Sequence, residues 1–376
     1  MNTFKKWAEI LGRAVATLTM TLCTAAGRIM KSLGTGNTAG IMRASPVPTP
    51  RSSQVNSMLQ RHVVVVGEGG GARIIFISAM LEYIETQLKQ HLVDWADLAV
   101  STSASSVIFS LLTTDRVSAA EFNQLLLNGL LKDMFTPEGP LAIPRYSRDP
   151  YVDEYKKTIG DPVYMNESLI ELIMTSFSTC GDGITHFFKS WEDKDGKMKM
   201  TDATCRSFAA PYFFGELQDD KNRTFWGDGG LGINNMPAWY AYGQARKNGW
   251  LNPGHHTHFL LLGSGYSQYS LDFEQAKKGG EVKKLFEQGL NYMNLSEGGL
   301  AKASSTVEQA RFMQFIASTY DTAGVTSGAM TVDYVNWEGM PKDLDKMDDW
   351  KDAPTYYAKG LEFAKKIDLD ALRKAP

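Results

Sequence analysis

The stretch Val63-Val64-Val65-Val66-Gly67-Glu68-Gly69-Gly70-Gly71-Ala72-Arg73 decides how the chain is read. Four β-branched residues run into a glycine loop, and apolar residues then recur at three- and four-residue steps through Ile77, Met80, Leu81, Ile84 and Leu88. That pattern predicts a strand, a tight loop and a helix. Amides at a helix N-terminus lack partners, and the helix dipole adds to their pull on negative charge. The loop is therefore a candidate seat for an anion, either a phosphate or an oxyanion that develops during a reaction.

A second unit of the same kind follows. Asp97-Leu98-Ala99-Val100 predicts a short strand, STSASS at residues 101–106 a turn, and Val107, Ile108, Leu111 and Leu112 a buried helix. Two such units joined by right-handed crossovers predict an α/β fold with a largely parallel, helix-covered sheet. A serine on a sharp strand-to-helix turn has its hydroxyl lifted above the sheet, and Ser103 holds the middle of this turn. The competing reading of the same residues is a helix N-cap.

A nucleophilic serine needs a base and a seat for the oxyanion. The glycine loop offers the second. Asp228, in the strand-end turn Gly227-Asp228-Gly229-Gly230, is a candidate base; alternatively its carboxylate closes an Asx turn on its own backbone. None of the six histidines sits in a motif, and His255, His256 and His258 have no carboxylate at ligand spacing, so a metal site is not expected.

Composition narrows the class. At 376 residues with 43% apolar content the chain can hold one large α/β domain or two small ones. A net charge of -3 argues against nucleic acid as a partner. Cys23, Cys180 and Cys205 form no close pair, so neither a disulfide framework nor a zinc site is expected. The charge is unevenly spread: residues 1–61 hold eight Lys/Arg and one acid, Glu9. Residues 1–31 combine Lys5, Lys6 and Arg13 with a charge-free run at 14–26 that is too short to span a bilayer, which predicts a targeting or membrane-directed leader and favours an exported or membrane-associated protein. Residues 32–60, rich in Gly, Ser, Thr and Pro, predict a flexible linker. The ordered domain is expected over 61–376, with a mostly helical insertion at about 115–200 and helices over 272–320 and 354–373.

Taken in order, EGGGAR (68–73), STSASS (101–106), ATCRSFAAPYFF (203–214), DGGLGINNMP (228–237) and LLLGSG (260–265) resemble the patatin-like phospholipase family. The resemblance spans residues 62–265. It implies a three-layer α/β/α sandwich with a mostly parallel central sheet, and lipid acyl hydrolysis of the phospholipase A or lysophospholipase type through an acyl-enzyme. It implies that Ser103 is the nucleophile and Asp228 its partner, with no histidine and no cofactor or metal. The backbone N–H groups of Gly69, Gly70 and Gly71 become the oxyanion hole, with Arg73, Gly229 and Gly230 in support. The implied partners are a phospholipid or other acyl-ester lipid and a membrane surface, and some family members need a protein activator. The sequence departs from the family pattern at Glu68, Ile74, Ser101 and Ser105, where the family has aspartate or glycine. Phe109, Leu112, Phe135, Phe177 and Phe188 are candidate lining for an acyl pocket.

Two rival readings remain. A patatin fold that has lost turnover would be a lipid-binding or scaffold protein. Gly67-x-Gly69-x-x-Ala72 after a strand also fits the fingerprint of a dinucleotide-binding oxidoreductase, with Glu85 or Asp94 as the ribose acid. That second reading leaves Ser103 and Asp228 without a task.

Overall fold

The structure, a computed structural model, describes residues 60–231, 234–267, 300–323 and 329–373. The expected leader at 1–31, the linker up to residue 59 and the 272–299 part of an expected helix lie outside the described residues. Strand β1 (Gln60–Gly67) passes through the glycine loop into helix α1 (Ile74–Leu88). Strand β2 (Leu98–Thr102) turns at Ser103 into α2 (Ala104–Leu112). Helices α3 (Ala119–Leu125) and α4 (Asp149–Thr158) precede β3 (Glu171–Cys180) and β4 (Thr185–Lys189). Then come α5 (Met200–Ser207), β5 (Leu217–Asp219), β6 (Thr224–Asp228), α6 (Ala238–Lys247) and β7 (His255–Leu262). Helix α7 (Leu300–Ala323), β8 (Ala329–Val335) and α8 (Ala353–Ala364) complete the order.

The strands form one sheet in the series β5-β6-β3-β2-β1-β7-β8, with β4 also on β3. β3, β2, β1, β7 and β8 run parallel; β4, β5 and β6 supply the antiparallel pairs. The valine run explains the layering. Successive side chains on a strand point to opposite faces. Val63 and Val65 therefore pack with α1, α2 and α8 on one face, while Val64 and Val66 pack with α6 and α7 on the other. This is the expected three-layer α/β/α arrangement with a mostly parallel central sheet.

The expected insertion needs correcting. Most of its helix lies before β3, a central strand of the sheet that falls inside the 115–200 range together with β4. β3 is covered along most of its length and carries a mixed run of apolar and hydroxyl residues, so it lacks the apolar–polar alternation that marks a half-exposed strand. The five proposed pocket residues are also corrected. Phe109, Leu112, Phe135 and Phe188 are packed into the core, and Phe177 on β3 is half-buried. No described helix is long and apolar enough to cross a membrane.

Candidate active site

β3 brings the two candidate catalytic residues together. Its residues 173–175 pair with β2 on one edge and β4 on the other. Its residues 176 and 177 pair with β4 and with β6. A strand has two edges, so β2 and β6 share the same edge of β3 and run toward each other. β2 ends at Thr102, opposite Thr175, and β6 ends at Asp228, opposite Ser176. Ser103 and Asp228 meet where these two strand ends abut. Ser103 Oγ donates to Asp228 Oδ2 at 2.6 Å.

The local backbone is that of a strained elbow. Ser103 has φ 55° and ψ -127°, a region that side chains other than glycine rarely adopt. Ser101 and Ser105, at the positions where the resemblance leads one to expect glycine, help hold it. Ser105 Oγ donates to Gly67 O at 2.8 Å, which ties the elbow to the end of β1. Ser101 Oγ lies 3.2 Å from the carbonyl of Ile173 and accepts from Ser106 Oγ at 2.9 Å. Ser106 Oγ lies 2.7 Å from Ser207 Oγ, and Ser207 Oγ accepts the Ser103 amide at 3.0 Å. The strained amide therefore ends a buried chain of hydroxyls. Ser207 lies in the ATCRSFAAPYFF segment that carries part of the resemblance, which assigned it no role.

Asp228 is held on both oxygens. Oδ1 accepts the Gly230 amide at 2.7 Å, and its own amide donates to Ala209 O at 3.0 Å. Gly229 must lack a side chain, since a Cβ would sit 2.0 Å from Thr175 Oγ1. Burial pushes the Asp228 carboxyl up to about 6, against the opposing pull of the hydrogen bonds from Ser103 and Gly230. A carboxylate near that value is ionised at neutral pH and still basic enough to take a proton from a reacting hydroxyl.

The glycine loop lies beside this pair. A Cβ on Gly69 would sit 2.9 Å from Ser103 Cβ. The three loop amides are not equivalent. Gly69 N–H donates to Asn235 O at 3.1 Å, so it is committed to holding the loop, whereas the Gly70 and Gly71 amides make no hydrogen bond among the described residues. Of the three amides expected to form an oxyanion hole, the Gly69 amide is thus already engaged. Asn235 also donates through Nδ2 to Glu68 Oε1 at 3.0 Å, and Glu68 Oε2 accepts the Ser264 amide at 2.6 Å. One buried carboxylate therefore links the loop, the segment after Asp228 and the end of β7. Arg73, also buried, reaches Gly70 O through Nε at 3.4 Å and pairs with Asp345, which in turn accepts the Ser267 amide at 2.8 Å. Asn235 and Ser264 lie inside the DGGLGINNMP and LLLGSG segments, where the sequence reading gave them no task of their own, and Asp345 lies outside every segment it quoted.

None of the six histidines hydrogen-bonds to Ser103 or Asp228. His186, level with Asp228 across β3, is turned to Asp182 at 2.9 Å. His62, His255, His256 and His258 lie at or near the starts of β1 and β7, the opposite end of the parallel strands. The ribose acids of the dinucleotide reading are both engaged elsewhere: Glu85 is buried and accepts the Leu92 and Ala119 amides, and Asp94 caps the His91 amide. Among the described residues no group of three His, Cys, Asp or Glu side chains is placed to hold a metal ion.

No protein-family model matches the chain. The cGAMP-activated phospholipase of Escherichia coli (strain TW11681) is 29% identical to it over 185 residues, which is 44% of this chain and 51% of that protein. The chain thus spans about half the length of this curated relative. Among solved structures, VipD from Legionella pneumophila superposes with a TM-score of 0.36 at 11% identity, covering 82% of this chain and 67% of that one.

Proposed function

We propose that the chain is a lipid acyl hydrolase of the patatin-like type that works through a Ser103–Asp228 dyad and an acyl-enzyme. The observation that carries this reading is the 2.6 Å contact between a serine on a strained elbow and a buried aspartate, set beside two uncommitted glycine-loop amides. The similarity to a phospholipase supports it from sequence.

The proposed course of reaction uses only these groups. Ser103 Oγ attacks the ester carbonyl carbon and gives its proton to Asp228 Oδ2. The carbonyl oxygen becomes an oxyanion, received by the Gly70 and Gly71 amides. One such preset donor is worth roughly 3–4 kcal/mol in the transition state. Collapse breaks the ester bond, and Asp228 returns the proton to the departing alcohol oxygen. Water then attacks the Ser103 acyl ester, again with Asp228 as base, and releases the fatty acid and free Ser103.

The test is fatty-acid release from phospholipid vesicles and p-nitrophenol release from acyl esters, with wild type beside Ser103→Ala and Asp228→Asn. A parallel arm adds a cyclic dinucleotide, because the relative is named as cGAMP-activated. Labelling by a fluorophosphonate at Ser103 locates the nucleophile. Turnover by wild type, lost in both folded variants, supports the reading. Turnover that survives Ser103→Ala places the chemistry elsewhere. Silence of the wild type in every arm favours the binding or scaffold alternative.

A further inference from the structure

The catalytic end of the sheet carries large aliphatic side chains that no described residue covers. Leu141 is 93% and Ile143 79% exposed, both on the loop 138–145. Pro140 and Pro144 stiffen this loop, and Glu138 N closes it by donating to Arg145 O at 2.9 Å. It therefore presents two aliphatic side chains to water with little conformational freedom to lose on docking. The loop is fastened beside the dyad. Arg145 N donates to Tyr212 O and Tyr146 N to Phe213 O, both at 2.8 Å. That 210–215 turn follows Ala209, whose carbonyl accepts the Asp228 amide, and Ser207, whose hydroxyl accepts the Ser103 amide.

A second apolar tip stands across the site. β3 runs five residues past Thr175, its last partner on β2. At about 3.3 Å per residue the hairpin into β4 projects roughly 17 Å beyond the strand end that bears Ser103. Ile184, at its turn, is 55% exposed, and Leu231, three residues after Asp228, is also exposed. The two tips sit on separate arms at the same end of the sheet as the dyad.

We infer that these tips form a bilayer-docking face, with Leu141 and Ile143 entering the lipid surface so that the Ser103–Asp228 cleft opens toward it. The inference rests on the lipid-hydrolase reading above and adds where the substrate surface sits. The base of the loop carries both signs, exposed Glu138 and half-buried Arg145, so the aliphatic tips and the lipid substrate of the proposed reaction, rather than net charge, select a phospholipid surface. The Arg145 guanidinium stands at the base of the loop, 3.3 Å from Tyr212 Oη, and makes no ion pair among the described residues. An aliphatic tip with a cation at its base matches acyl chains below a layer of phosphates.

The test uses vesicles of equimolar phosphatidylcholine and phosphatidylglycerol. Binding is read by co-sedimentation on the Ser103→Ala background, so that no lipid is consumed and the result does not depend on turnover. Burying a leucine and an isoleucine in part predicts about hundredfold weaker partitioning for Leu141→Ser/Ile143→Ser. The same double variant with Ser103 intact should hydrolyse a soluble short-chain ester at the wild-type rate, since both side chains point to water. Unchanged vesicle binding overturns the inference. A parallel fall in soluble-ester hydrolysis overturns it too, because the loop would then shape the pocket. Loss of a wild-type dimer in the double variant, with no vesicle binding by either, assigns the face to a second copy and also overturns it. Absence of ester hydrolysis by the wild type defeats the functional reading but leaves the binding measurement standing on its own.

Discussion

Asp228→Asn should abolish turnover and, at neutral pH, make the protein more stable. The carboxyl is buried, and its value of about 6 compares with an ordinary 3.8. Between those values the folded protein holds a proton that the unfolded chain has lost. Stability from this group is therefore fully present below about 3.8 and is lost as pH rises through about 6. At about 1.36 kcal/mol per pH unit the full penalty is about 3 kcal/mol, of which about 2 kcal/mol falls between pH 4.5 and 7.5. Asparagine carries no charge to desolvate: its Oδ1 can still accept the Gly230 N–H, while its Nδ2 would donate to Ser103 Oγ. The measurement is urea unfolding of wild type and Asp228→Asn at pH 4.5 and pH 7.5. The difference between the two proteins cancels every other titrating group, and it should move in favour of the variant by about 2 kcal/mol on going to the higher pH. In the active protein kcat/KM should rise tenfold per pH unit below about 6 and level off above it, because only the ionised carboxylate accepts the Ser103 proton. A stability difference that does not change with pH would refute the raised carboxyl, and with it the claim that burial tunes this base. A pH–rate limb well above 7 would point to a different base.

Three further outcomes follow from the supports. Gly70→Ala places a Cβ 2.4 Å from buried Ser264 Oγ, so the loop must shift and its amide turn away; kcat should fall about hundredfold in a protein whose near-ultraviolet dichroism is unchanged. Ser207→Ala leaves the strained Ser103 amide unpaired, which should cost about 1–2 kcal/mol in urea unfolding and lower kcat about tenfold at constant KM. Arg73→Met strands the buried Asp345 carboxylate, so unfolding should become easier by about 3–5 kcal/mol, and adding Asp345→Leu should restore part of that loss.

Much of the site was legible because its chemistry is local. The valine run, the glycine loop and the serine turn each lie within a dozen residues and announce themselves by period or by glycine. What escaped the reading depends on distance. Glu68 and Asn235 are 167 residues apart, Arg73 and Asp345 272, and no spacing rule connects them before the sheet does. β3 escaped for another reason: a largely covered strand with mixed apolar and hydroxyl residues shows no alternating period, so it was read as part of a mostly helical insertion. The shared edge of β3, which aligns Ser103 with Asp228, was therefore invisible even though both residues were named.

The serine-flanked elbow shows how a side chain is absorbed where the resemblance leads one to expect glycine. A side chain at position 101 threatens to crowd a strained turn, yet Ser101 is fully buried and sits in the hydroxyl chain that ends on the Ser103 amide. A hydroxyl is small enough for this space and also offers a donor and two acceptor lone pairs. A buried turn needs those bonds because an unpaired polar group there costs about 1–3 kcal/mol. Valine at 101 or 105 would be larger and would leave the Ile173 carbonyl or the Thr102 amide without its serine contact. The four serines at 101, 105, 106 and 207 thus hold one turn: they exchange the conformational freedom of glycine for fixed hydrogen bonds, and Ser103 is held by those bonds where glycine neighbours would have held it by the absence of a side chain.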